Sequence, residues 1–314
     1  MLRPVNPADL PSLLALQART LPNAARSRKT LASGTRWALP YGALIGEWLP
    51  RRLRRHAWLL SRRGMAAGVV EVHQRLGPTC WEVGCLQARR SDGEALIEML
   101  EAVSGAVADL KGRSLFLRLD ADSPANAAAG DARFTQYSFE ELFVRQAGTP
   151  LAPAAPPDNG LVRRAGDEDN HAIYRLYQAV VPAPAREAKG MTFGQWQDSL
   201  ELPQGWRRRE TFVLDRGADV AGCLMLSGSR RDSIVDVLIA PEDLAGAESL
   251  ISAGLHAAGG ARKVLCLAPG HQQFLARPLQ ALGFRKSSEL VLHVRHTTAR
   301  VKERELVPAG AMPR

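Results

Sequence analysis

Apolar residues along this chain follow two spacings, one typical of strands and one typical of amphipathic helices. His56–Ser61 and Met65–His73 are apolar runs on either side of a glycine turn, and they predict a β-hairpin. Cys80–Gln87 predicts the next strand, and Ser114–Leu119 predicts a further buried strand. Between these two strands, from about Ser91 to Leu110, apolar residues recur at intervals of four and three, so this stretch predicts a helix.

The same order of elements occurs again in the second half of the chain. Val162–Ala165 and a helix that begins near Asp169 mirror the short strand and helix at the start of the chain. Ser233–Ala240 takes the place of the strand Cys80–Gln87, and a helix from about Leu244 to Ala258 follows it. Because order and spacing both repeat, the sequence predicts two copies of one α/β fold.

A proline-rich segment at residues 147–160 separates the two copies and predicts an extended linker. The first domain is therefore predicted at residues 1–146 and the second at 161–300, with a polar tail at 301–314. At the end of the first domain, Phe134–Arg145 predicts a strand pair or hairpin.

The overall composition is that of a globular protein, with 314 residues, 46% hydrophobic and 23% charged. No apolar run approaches the roughly 18 residues that a membrane helix needs, and the N-terminus lacks the pattern of a signal peptide. We therefore expect a cytoplasmic protein that does not contact a membrane. The cysteines lack CxxC spacing and lie in apolar runs, so we expect buried reduced thiols and no metal site. They are Cys80, Cys85, Cys223 and Cys266.

The net charge of +9 is concentrated in the first half of the chain. Several arginines between Arg51 and Arg63 fall in a segment that has no acidic residue between Glu47 and Glu71. Such a patch is either a solvated basic face or a binding site for phosphates or nucleic acid. Arginine is common throughout the chain, so a nucleic-acid partner is not expected.

The start of the predicted helix after Cys80–Gln87 has features of a phosphate site. Ser91–Glu94 is a capping box, and Arg89 and Arg90 precede it directly. A helix N-terminus offers unpaired N–H groups and a partial positive charge, and Gly93 allows a ligand to approach the backbone closely. The alternative is an ordinary helix cap next to arginines of no special role.

Glu82 lies among apolar residues on the preceding strand. A buried carboxylate is costly unless it is paired or used, and burial would raise its pKa toward that of a general base. Since residues alternate along a strand, Glu82 equally fits a position that faces solvent. Gly84, in the middle of this strand, predicts a β-bulge or a close backbone approach.

The ordered set of motifs resembles the GCN5-related N-acetyltransferase (GNAT) superfamily. Arg90–Ala95 fits the family pattern of Arg or Gln, two residues, Gly, one residue, and Gly or Ala. Glu82–Leu86 fits the strand before that pattern, and Ala67–Val70 resembles the preceding hairpin. The opening Leu2–Val5 and the pair Gly283–Phe284 resemble the ends of the family fold. The resemblance covers nearly the whole chain as two tandem copies.

The resemblance implies, for each copy, a mixed twisted sheet flanked by helices, whose fourth and fifth strands separate at a bulge. Acetyl-CoA or another acyl-CoA would lie in that gap, as a co-substrate that needs no metal. Catalysis would be direct acyl transfer to an amine, with Glu82 as base and Tyr137 as acid, because the usual motif tyrosine is missing. The cofactor-binding residues implied are Leu86, Gln87, Ala88, Arg89, Arg90, Ser91, Asp92, Gly93, Glu94 and Ala95.

The second copy departs from the family pattern, since Asp243 stands where Arg90 does and Val235 stands where Glu82 does. A carboxylate repels a pyrophosphate, so the first copy is the expected cofactor-binding one. The prediction is an acyl-CoA-dependent N-acyltransferase, with the amine of a small molecule or peptide as acceptor. The acceptor would lie near the interface of the copies, touching Trp37, Tyr41 or Trp48. The alternative is a non-catalytic module for ligand sensing or protein interaction.

Overall fold

The computed structural model describes residues 2–17, 23–34, 55–89, 93–151, 162–202, 206–217, 219–229, 231–260 and 262–297, with residues 207–209 described by their backbone alone. Several predicted features lie outside these ranges. They are Trp37, Tyr41, Trp48, Arg51, Arg52, Arg54, Arg90, Ser91, Asp92, the linker beyond residue 151 and the tail.

Within the described residues, one sheet of 12 strands runs through the whole molecule. The strands are β1 Leu2–Pro4, β2 Arg55–Arg62, β3 Met65–Gln74, β4 Cys80–Ala88, β5 Ser114–Asp120, β6 Thr135–Arg145, β7 Val162–Arg164, β8 Arg207–Asp215, β9 Val220–Gly228, β10 Asp232–Ile239, β11 Lys263–Pro269 and β12 Arg285–His296. The α-helices are α1 Leu10–Gln17, α2 Arg28–Ser33, α3 Gly93–Asp109, α4 Ala125–Asp131, α5 Asn170–Val180, α6 Ala183–Lys189, α7 Phe193–Ser199, α8 Ala247–Ala258 and α9 Ala276–Ala281.

The strand order across the sheet is β1-β2-β3-β4-β5-β12-β6-β11-β10-β9-β8-β7. Replacing each strand by its counterpart in the other half gives the same order read from the opposite edge. Neighbours are antiparallel except β4 with β5 and β10 with β11, which are parallel. At the centre, β12 pairs with β5 of the first half, and β6 pairs with β11 of the second. The two halves have therefore exchanged their last strands.

The repeat predicted from the sequence also appears in single contacts. Arg3 donates to the carboxylate of Asp9 at 2.7 Å, and Arg163 donates to Asp169 at 2.8 Å. Each aspartate also accepts a backbone N–H at the start of a short 3₁₀ turn, and it caps that turn in its own half. Each half thus fixes the angle between its first strand and first helix in the same way.

The prediction of a strand pair or hairpin over Phe134–Arg145 is wrong, because Thr135–Arg145 forms the single strand β6. This segment contains no glycine, proline or asparagine that would favour a turn. A return strand is not needed, because both neighbours of β6 come from the second half. The domain boundaries at residues 146 and 161 stay predictions.

Two helices cover the largest apolar clusters of the sheet. In the first half, Met99, Leu100 and Val103 of α3 are fully buried against β3, β4 and β5. In the second half, Leu250 and Ile251 of α8 occupy the equivalent place. The four cysteines are buried and none forms a disulfide, as predicted. In the described part of the chain, no helix is long and apolar enough to cross a membrane.

Candidate functional site

The sheet opens between β4 and β5. These parallel strands pair only where Cys80–Glu82 meets Ser114–Phe116, and beyond that point they separate. The cause is a bulge in β4: Cys85 pairs with Glu71 and Val83 pairs with Val72, so Gly84 has no partner on β3. A side chain at Gly84 would meet His73 Nδ1 at 2.8 Å, which explains the glycine. The predicted bulge and the implied separation of strands are both confirmed.

A segment of the chain itself crosses this first opening. The segment Asn23–Arg26, which we call the strap, runs between the separated strands. Asn23 Nδ2 donates to Gly84 O at 3.1 Å, and Leu86 N donates to Asn23 Oδ1 at 2.8 Å. On the other side, Arg26 N donates to Arg118 O of β5 at 2.8 Å. The strap therefore satisfies backbone groups that the bulge leaves unpaired.

Behind the opening lies a cavity of about 480 Å³, the first cavity, enclosed by β4, the start of α3 and α4. Of the predicted cofactor residues, Leu86, Ala88, Arg89 and Gly93 line it. The Nε of Arg89 has no hydrogen-bond partner among the described residues. The remaining described members lie elsewhere: Gln87 and Ala95 are buried, and Glu94 is exposed. Gln87 has no side-chain partner in the described part of the chain.

Glu82 is buried, at 3% exposure, so it does not face solvent. Its Oε1 accepts from Arg118 at 3.2 Å, and its Oε2 lies 3.3 Å from Arg75 Nε. Arg118 also binds Glu140 at 3.0 Å and Glu201 at 2.8 Å. We call the whole set the central ion cluster. It consists of Glu82, Glu140, Glu201, Asp236, Arg28, Arg75 and Arg118.

Glu201 connects both halves of the molecule in this cluster. Burial alone would raise the pKa of its carboxyl, but Arg118, Arg75 and Arg28 outweigh that effect and hold the pKa well below its usual range. Such a carboxylate stays charged and holds arginines in place. No local pattern in the sequence predicts this role, because Glu201 lies just after α7, far along the chain from its partners.

Tyr137, the predicted acid, lies close to the same cluster. Its ring meets Phe116 edge-on, with 6.0 Å between the centroids, and the Arg75 guanidinium stacks on the Phe116 ring at 3.7 Å. Burial raises the pKa of Tyr137 above its usual range, so its phenol stays protonated at neutral pH. The structure thus brings Glu82 and Tyr137 near each other through Arg75, without a direct hydrogen bond between them.

Solved structures resemble this chain over nearly its whole length. A GCN5-related N-acetyltransferase from Sphaerobacter thermophilus matches with a TM-score of 0.55 at 16% identity, over 95% of this chain and 95% of that one. The chain has the GNAT fold. The mixed sheet predicted from the sequence is confirmed, and the strand order, which repeats in both halves, confirms the two copies.

Two further solved structures match with lower TM-scores, and sequence comparison adds no match. A tandem GNAT protein from the clavulanic acid biosynthesis pathway, solved without acetyl-CoA, has a TM-score of 0.48 at 16% identity, over 95% of this chain and 98% of that one. A GNAT-family acetyltransferase from Colwellia psychrerythraea has a TM-score of 0.44 at 12% identity, over 94% and 99%. No family model and no curated protein sequence matches the chain.

The second GNAT copy opens in the same way between β10 and β11, after the pair Val235 and Cys266. Here a different residue fills the second opening. With its amide oriented to satisfy both ends, Gln272 donates to Val237 O at 3.1 Å and accepts from Ile239 N at 3.2 Å. Where the first copy has its predicted phosphate loop, Asp243 lies in a 3₁₀ turn and pairs with Arg216.

A second cavity, of about 120 Å³, lies where the two GNAT copies meet, and we call it the junction cavity. Arg28 and Glu140 of the first half and Tyr177, Lys189 and His271 of the second are among its lining residues. Arg28 follows the strap closely, so the chain leads from the first cavity to the junction cavity within a few residues. None of the three second-half residues stood out in the sequence, since each lies in a segment without a motif.

Proposed function

We propose that this protein is an acyl-CoA-dependent N-acyltransferase and that its first copy binds the acyl-CoA. The observation that carries the proposal is the first opening, where the Gly84 bulge separates β4 from β5 beside a cavity of about 480 Å³. This cavity extends to Gly93 at the start of α3. An elongated thioester with an anionic end matches such a slot, since a helix N-terminus attracts phosphate.

The residues around the first cavity fit acyl-CoA in part. Leu86 and Ala88 give an apolar wall, and Arg89 adds a positive charge whose Nε is unpaired among the described residues. Asp120, in the same wall, opposes an anion, but Arg26 lies 3.3 Å from its carboxylate and offsets that charge. The strap occupies the backbone groups of β4, so in this proposal it must move before a pantetheine arm can bind there.

The chain's own groups then have distinct tasks during the transfer. The acceptor amine must lose a proton as it attacks the thioester. Both oxygens of Glu82 are already paired with guanidinium groups, so in this proposal Glu82 acts on the amine through a water. Tyr137, whose pKa is raised by burial, keeps its proton and donates a hydrogen bond to the departing sulfur.

Titration calorimetry with acetyl-CoA tests the proposal. We expect binding by the wild type, and a loss of about tenfold or more in Arg89→Glu, because one side chain near the phosphates changes from a positive to a negative charge. Arg90→Glu should behave similarly. Arg285→Glu, on an exposed position of β12, is the matched control and should bind normally. Absence of acetyl-CoA binding to the wild type would rule out the proposal.

The alternative, a non-catalytic module, is favoured by the strap and by the pairing of Glu82. Both make the first copy well satisfied without any ligand. Under this alternative, acetyl-CoA or another ligand binds, but no CoA thiol appears across a broad panel of amines. A colorimetric thiol assay separates the two proposals, since only the acyltransferase releases CoA in step with amine consumption.

A further inference from the structure

Lys189 ends α6 and lines the junction cavity. Its backbone carbonyl accepts from Arg113 at 3.1 Å, which fixes the end of the helix. Its Nζ makes no hydrogen bond or ion pair with any residue that the structure describes. A lysine amine at a cavity wall without a carboxylate partner is uncommon, because pairing normally offsets the cost of removing the charge from water.

The nearby carboxylates do not bind Lys189 because arginines already hold them. Glu140 accepts from Arg118 at 3.0 Å, and Glu201 lies 2.8 Å from both Arg118 and Arg28. Burial is the main influence on the amine and lowers the pKa of Lys189. A lower pKa increases the fraction of neutral amine, which is the nucleophilic form. The charged groups acting on the amine are Glu140, Glu201, Arg75 and Arg28.

His271 lines the same cavity and supplies a base. Burial, and then the nearby charge of Lys189, lower the pKa of His271 to about 4, so its ring is neutral at pH 7. Its Nε2 is buried and has no partner among the described residues. Ser227, at 6% exposure, adds a hydroxyl in the same wall that is also without a partner there. Two buried polar atoms without a partner among the described residues, His271 Nε2 and Ser227 Oγ, therefore line the same cavity as the amine of the half-buried Lys189, which points to a reacting or bound group.

We propose that Lys189 is an acylation site of this protein. Its Nζ attacks the carbonyl carbon of a thioester, a C–N bond forms, and the C–S bond breaks. The amine proton passes to His271 Nε2 and then to the departing thiolate, so the products are an amide at Lys189 and a free thiol. The supply of the acyl group rests on the proposed function. The amine and the imidazole both belong to the second copy, and neither lines the first cavity.

The test is to incubate the full chain with acetyl-CoA at pH 7.5 and to quantify acetylation of each lysine by peptide mass spectrometry. We expect Lys189 to react on the order of tenfold faster than Lys286, an exposed lysine whose pKa is raised by Glu141 and Glu289. His271→Asn should slow the reaction at Lys189 by about tenfold or more and leave Lys286 unchanged. Equal rates at the two lysines in the wild type would overturn the proposal.

A second acyl donor separates this inference from the proposed function. Acetyl phosphate carries the same acyl group but does not need a CoA site. If calorimetry detects no acetyl-CoA binding, faster acetylation of Lys189 than of Lys286 by acetyl phosphate still supports the inference, and equal acetylation ends it. Lys189→Arg keeps the charge but cannot be acetylated, so it identifies the modified peptide. In this variant the acetylated Lys189 peptide should disappear, whereas acetylation of the other lysines should stay unchanged.

Discussion

At the two openings of the sheet, different residues satisfy backbone groups that have lost their strand partners. At each opening a strand leaves its parallel neighbour, and its N–H and C=O groups lose their partners. Asn23, from the segment before α2, satisfies β4, whereas Gln272, from the segment after β11, satisfies β10. A side-chain amide offers both an N–H donor and a C=O acceptor, as a peptide group does. In both copies of this chain an amide takes this place, and a different part of the chain provides it.

The surroundings of the two amides differ in what they leave accessible. Asn23 borders the first cavity, which contains Arg89 and reaches the start of α3. Gln272 is fully buried, and the loop on its side carries Asp243, which is paired with Arg216. On its other face, however, the second copy adjoins the junction cavity. In the two proposals above, the first copy binds the anionic co-substrate and the second copy supplies the nucleophile.

The largest effect is expected when the two halves are separated, because each half then lacks a strand that the other supplies. Expressed alone, neither residues 1–151 nor residues 162–314 should show a cooperative urea transition, because β12 is missing from one and β6 from the other. Co-expression of both pieces should restore the transition. Circular dichroism of each purified piece is the measurement. A cooperative transition in an isolated half would mean that strand exchange is not essential to either sheet.

The next largest effect is expected in the central ion cluster. Arg118→Met leaves three carboxylates without a shared partner, and breaking such a buried network costs about 3–5 kcal/mol of unfolding free energy. The matched control, Arg216→Met, removes an exposed partner of Asp243 and should cost under about 1 kcal/mol. Urea titrations of both variants decide the point. Equal losses would show that the cluster does not hold the halves together.

A smaller effect is expected when the amide of Asn23 in the strap, or the equivalent amide of Gln272 at the second opening, is removed. Asn23→Ala removes two hydrogen bonds that hold the strap, each contributing about 1 kcal/mol. If acyl-CoA displaces the strap, the affinity for acetyl-CoA should rise by about tenfold, since less energy is spent on opening. Gln272→Ala, the matched change at the second opening, should lower stability without raising affinity. Unchanged affinity in Asn23→Ala would show that binding leaves the strap in place.

The smallest effect concerns the pair of aspartates that begin the copies. Arginine hydrogen bonds lower the pKa of Asp9 and Asp169, so each contributes stability above the ordinary aspartate pKa and loses it as pH falls through the lowered one. Asp9→Asn and Asp169→Asn should each cost up to about 1 kcal/mol at pH 7. Thermal unfolding at pH 7 and pH 3 checks whether the cost shrinks in acid, as it should in both copies.

Local signals in the sequence predicted the elements and the fold. The periodicity from Ser91 to Leu110 predicted α3, and Gly84 predicted the bulge. The repeated order of elements predicted the two copies. The strand exchange was not predictable, because the apolar pattern of β6 and of β12 predicts a strand but does not indicate which half the strand pairs with. Asn23, Arg118 and Lys189 were also missed. Their importance comes from contacts with residues far along the chain, and no spacing in the sequence reports such contacts.

The exchange of last strands has a consequence for how the molecule is made. As the chain leaves the ribosome, β5 is complete long before its neighbour β12 is synthesised, because β5 ends at Asp120 and β12 begins at Arg285. Throughout the synthesis of the second half, β5 therefore presents an unpaired edge, which attracts other strands. Pairing of Leu290 with Asp120 is also a very long-range contact, and such contacts form slowly. Until β12 pairs with β5, the nascent chain can aggregate through this edge, and a low concentration of nascent chains or a chaperone prevents that.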